Sequence, residues 1–102
     1  MPPVAELTLD ENSGEVVLTG ELIFSTVPDL LAQEARLMAV RSEELKIDLA
    51  GVERGDSAGL ALLVAWLRAA KKHNKRLAFL NVPAQLQEMA KVSGLEKVLS
   101  LA

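Results

Sequence analysis

The sequence contains no cysteine and a single histidine. The first absence excludes a disulfide framework and any thiolate nucleophile or metal site. The second leaves His73 without a partner histidine or cysteine, and no glycine-rich phosphate loop is present. A nucleophilic triad and a nucleotide cradle both lack their parts, so the chain reads as non-enzymatic, with no cofactor and no metal. Long hydrophobic runs are missing as well. The longest, near Gly59 to Leu67, is about half of what a bilayer span requires. The opening MPPVAELTLD has no basic region followed by an apolar stretch, so no signal peptide is expected and the protein should stay in the cytoplasm. Positive charge is not in excess: 11 Lys and Arg stand against 14 Asp and Glu, for a formal net charge of −3. Neither nucleic acid nor an anionic membrane surface is the expected partner, and no direct membrane insertion is expected.

What is present is enough for one domain over residues 1–102, half of it apolar. Linkers, low-complexity tracts and repeats are not visible. Residues 4–9 alternate with period 2 as a first strand, Asn12-Ser13-Gly14 turns, and Glu15 to Thr19 returns as a second. Ser25 or Thr26 caps a helix running to about Val40, with Pro28 in its first turn and Val27, Leu31, Ala35 and Met38 on one face. A third strand, Leu45 to Leu49, and a second helix ending at His73-Asn74 follow. Leu77 to Leu80 form a fourth strand. Asn81 and Pro83 start a third helix carrying Leu86, Met89 and Ala90, which Gly94 stops, and Val98 to Leu101 add a short last strand. The order β-β-α-β-α-β-α-β predicts an α/β domain with a mixed four- to five-stranded sheet and about three helices, parallel in its second half and with an antiparallel hairpin at its edge.

The chain is organised around Lys46 to Leu67, KIDLAGVERGDSAGLALLVAWL. The strand ends at Leu49, and Ala50 to Gly55, with two glycines, reads as a tight loop. Asp56 or Ser57 then accepts a bond from the first free amides of the helix, as an N-cap does. A helix start of this kind favours a hydroxyl, a carboxylate or a phosphate. The loop lies at the carboxyl edge of the parallel strands, where sites form. Asp48, Glu53 and Asp56 are three carboxylates near one loop, without the dense ligand spacing of a metal loop.

Asp56-Ser57-Ala58-Gly59-Leu60, after an apolar strand ending in Asp48-Leu49, resembles the signature of STAS domains. These are the small domains of anti-sigma-factor antagonists and of the cytoplasmic ends of sulfate transporters. The continuation Gly59 to Leu63 and the tail Ala90 to Leu99 resemble the MlaB branch, accessory subunits of the ABC transporter that moves phospholipid to keep the outer membrane asymmetric. The resemblance covers the whole chain. It implies a binding role against the ATPase subunit of such a transporter, peripheral on the inner membrane through that partner. The alternative it implies is an anti-sigma-factor antagonist, in which an anti-sigma kinase phosphorylates the residue matching Ser57 and the phosphate prevents binding. Many STAS domains have an apolar residue where Gly55 stands, so the loop is expected to be looser here.

The second helix supplies the expected contact surface. At ~100° per residue, Leu60, Leu63, Val64 and Leu67 fall together and should face the sheet. The opposite side holds Ala58, Ala61, Ala65 and Ala69, flanked by Leu62 and Trp66. Either a neighbouring helix covers part of this side, or it is a docking surface on which Trp66 is an anchor. The docking reading names Asp56, Ser57, Ala58, Gly59, Ala61, Leu62, Ala65 and Trp66 as partner-binding residues, with Ser57 the possible phosphorylation site. His73 lies about four and a half helical turns from Ser57, too far to serve it as a base.

Overall fold

The computed structural model describes residues 3–99. Strands β1 (Ala5–Leu9) and β2 (Glu15–Leu22) form the hairpin, closed by Asp10, whose carboxylate accepts from the amides of Asn12 and Ser13 at 2.9 and 3.0 Å. Two short helices, α1 (Val27–Leu31) and α2 (Glu34–Met38), lead to β3 (Glu44–Gly55), helix α3 (Ser57–Lys72), β4 (Arg76–Leu80) and α4 (Ala84–Val92). The sheet order is β1-β2-β3-β4, with β1 antiparallel to β2 and the other two pairs parallel. Val16, Leu18, Leu22, Leu45, Ile47 and Leu49 are buried and alternate with exposed Glu15, Val17, Thr19 and Lys46. One face of the sheet therefore carries the helices and the core, and the other is open.

Three expectations change. The helix expected from residue 26 to 40 is broken at Ala32-Gln33: Val27 and Met38 are buried as their shared face implied, but Leu30 and Leu37 join them in the core while Leu31 and Ala35 are exposed. The stretch Ala50 to Gly55 is strand rather than loop. Two irregularities in its pairing with β2 put extra residues into β3, so buried positions fall at Leu49, Val52 and Gly55, three apart instead of two. Bulges of this kind erase the period-2 signal. Gly55 ends that strand buried, its amide donating to Gln85 Oε1 at 3.1 Å, and so does not loosen the site. At the C-terminus, Val98 and Leu99 lie in a turn, and the remainder of the last expected strand falls outside the described residues.

Candidate partner-binding surface at the start of helix α3

Asp56 is the N-cap of α3. Its backbone is extended, and its Oδ1 accepts from the amides of Ala58 at 2.8 Å and Gly59 at 3.3 Å. Ser57, the other candidate, is the first helical residue; it stays out of the capping bonds and its side chain is exposed. The amide of Asp56 donates to Leu22 O at 3.1 Å, which ties the helix start to the end of β2. Gly59 lies against the same carbonyl: a Cβ built on it would sit 2.4 Å from Leu22 O. Glycine is needed here for close approach, not for its backbone freedom.

The second carboxylate oxygen of Asp56 reaches across the chain. Oδ2 accepts from the amide of Phe24 at 3.0 Å, a contact between residues 32 apart in sequence. Phe24 sits at the tip of a turn whose base is closed by Thr26. The buried Thr26 hydroxyl donates to Glu21 O at 2.6 Å and accepts from the Ile23 amide at 3.0 Å. Beside this turn, Arg54 of β3 pairs with Glu21 of β2 at the rim. Held this way, Phe24 is 82% exposed.

Leu62 and Trp66 are not on this surface. Both are 0% exposed and belong to the core, which corrects their assignment as docking residues. The reason is the width of the buried arc. Helix α3 contacts α1, α2 and α4 as well as β3 and β4, so its flanks are covered along with its sheet-facing stripe. Gly59, Ala69 and Ala70 are buried too, while Val64 and Leu67 are half-buried. Of the residues expected at the contact, Ser57 and Ala61 are exposed and Asp56, Ala58 and Ala65 half-buried. Ala61 and Ala65 are shared by two shallow apolar grooves. One, of about 320 Å³, lies between α3 and α1 and is lined also by Phe24, Pro28 and Leu31. The other, of about 370 Å³, runs from Ser57 to Arg68 beside Leu95.

Sequence reasoning missed Phe24. Its signal was present: one of only three aromatic residues stands in a Ser/Thr turn just before a helix, where no core stripe claims it.

The three carboxylates do not converge. Asp48 Oδ1 accepts from Ala50 N at 2.9 Å and from Asn81 Nδ2 at 3.0 Å, and these bonds, Asn81 first, hold its carboxyl below the usual range. Among the described residues no three of His, Asp or Glu come together to hold a metal. His73 caps the far end of α3, its Nδ1 2.9 Å from Ala69 O, and so stands about 24 Å from Ser57 along the helix. Among the described residues no helix is long and apolar enough to cross a membrane.

Residues 5–101 match a family model described as Mlab, STAS domain, and the chain belongs to the STAS domain family. More particularly, it is 34% identical over 88 residues to an anti-sigma-B factor antagonist of Staphylococcus epidermidis, covering 83% of this chain and 79% of that protein. Among solved structures it shares its fold with the anti-sigma factor antagonist SpoIIAA in its unphosphorylated form, with a TM-score of 0.71 at 20% identity over 91% of this chain and 83% of that one. The phosphorylated form of SpoIIAA, a Bacillus cell fate determinant, gives a TM-score of 0.69 at 21% identity over 91% and 86%.

Proposed function

We propose that this chain is a non-catalytic, partner-switching protein, an anti-sigma-factor antagonist whose binding to an anti-sigma kinase is controlled by phosphorylation of Ser57. The observation that carries the reading is the Ser57 hydroxyl: exposed on the first turn of α3, spared from capping by Asp56, and bordered by apolar surface. A phosphate there meets the positive end of the helix and needs no unfolding to form. It brings about −1.5 to −2 charges to the edge of an apolar contact. Docking would then have to strip water from that charge, which opposes binding. The anti-sigma-B factor antagonist relative and the phosphorylated form of SpoIIAA support this reading over others.

The family description, Mlab, favours a second reading: an accessory subunit of an ABC phospholipid transporter that sets the same surface against the ATPase. There Ser57 would be covered and unmodified.

Mass spectrometry of the protein from its own cells, with pull-downs on Ser57→Ala and Ser57→Asp baits, separates the two. The switch reading expects phosphate on Ser57, an anti-sigma kinase held by the alanine bait, and none held by the aspartate bait. Recovery of a transporter ATPase, with Ser57 unmodified, would overturn it. The alanine bait is a clean probe because Asp56, not Ser57, caps the helix. Its stability should stay within about 0.5 kcal/mol of wild type, since alanine is the better helix former.

A further inference from the structure

Asp56 does more than a helix cap requires. One oxygen satisfies the first amides of α3, and the other holds the amide of Phe24. Thr26 closes the base of the Phe24 turn, but its tip is held through Asp56. Phe24 is the most exposed of the protein's aromatic side chains and lines the groove that shares Ala61 and Ala65 with the one beginning at Ser57. An aromatic ring presented on a fixed backbone loses little freedom when it binds, which is what an interface anchor needs. We propose that Asp56 is a positioning residue that displays Phe24 to the same protein partner that engages Ser57. The proposal rests on the partner-binding reading above.

The carboxylate's two tasks can be separated chemically. Serine and asparagine cap helices as well as aspartate does. Serine has only one oxygen, which the α3 amides would occupy. Asparagine would turn an N–H₂ group toward the Phe24 N–H, donor against donor. Asp56→Ser should therefore keep α3 and its melting temperature, while the Phe24 amide exchanges about tenfold faster with solvent. Because the chain has only two phenylalanines, protein labelled with 4-fluorophenylalanine reports the same event: the Phe24 line moves and the half-buried Phe79 line does not. The kinase retained by the Ser57→Ala bait is the binding probe. Asp56→Ser should weaken it about tenfold, and Phe24→Ala should do likewise. In the Phe24→Ala background Asp56→Ser should have no further effect, since it acts through that ring. If serine does not sustain the helix, Asp56→Asn takes its place. Unchanged affinity in Asp56→Ser, or a loss that persists without Phe24, overturns the display role and leaves the switch function standing. A bait that retains no kinase overturns the function, and the display role with it.

Discussion

Trp66→Ala should cost the isolated domain about 3–5 kcal/mol, the range found when a buried large aromatic is cut back to a methyl. That is a large part of the roughly 5–15 kcal/mol that holds a domain of this kind together. The side chain is 0% exposed and is the largest of the fully buried set, so the cavity it leaves cannot fill with solvent without wetting the core. The melting temperature, followed by far-UV circular dichroism because the only tryptophan is lost, should fall by about 12 °C or more. Trp66→Phe tests the chemistry of the site separately. The indole Nε1 is buried and has no hydrogen-bond partner among the described residues. Phenylalanine removes that unsatisfied donor and keeps most of the volume, so its cost should stay under about 2 kcal/mol. The combination Leu62→Asp with Trp66→Ala, a binding test if the two side chains faced a partner, becomes an unfolding mutation. A Trp66→Ala protein melting like wild type would return that face to the surface.

Gly59→Ala has the opposite sign from what helix propensity alone dictates. Alanine is favoured over glycine inside a helix by about 1 kcal/mol, so at an open position the change should stabilise α3. Here the added methyl would lie 2.4 Å from Leu22 O and 2.9 Å from Leu22 Cβ. The first of these is backbone of a paired strand and cannot swing aside. The helix start must back away from β2, stretching the 3.1 Å bond from Asp56 N to Leu22 O. We expect a net loss of about 1–3 kcal/mol in urea unfolding. The shift also moves Ser57, which lies between Asp56 and Gly59, so partner binding should weaken along with stability. A stabilised Gly59→Ala protein would show that α3 does not press on the end of β2.

The two predictions mark what was legible before the fold was known. From β1 to α4 the order of strands and helices, apart from the break between α1 and α2, the hairpin, the parallel second half of the sheet and the start of α3 at Asp56-Ser57 all follow from local pattern: alternation at period 2, apolar recurrence near period 3.6, and turn or capping residues between them.

The remainder depended on contacts between distant parts of the chain. A helical wheel gives the direction of the buried stripe but not its width. That α3 packs against α1, α2 and α4 as well as the sheet is what took Leu62 and Trp66 into the core. The strand character of Ala50 to Gly55 came from pairing with β2 through bulges, which leave no period in the sequence. Both Asp56 and Ser57 are good N-caps by residue type, and the fold gives the cap to Asp56, whose backbone is extended where that of Ser57 is already helical, and whose second oxygen is left to hold Phe24. The exposure of Phe24 has the same origin: a residue 32 positions away holds its backbone at the surface. Periodicity is a property of neighbours along the chain, whereas burial and the second bond of a side chain are properties of neighbours in space.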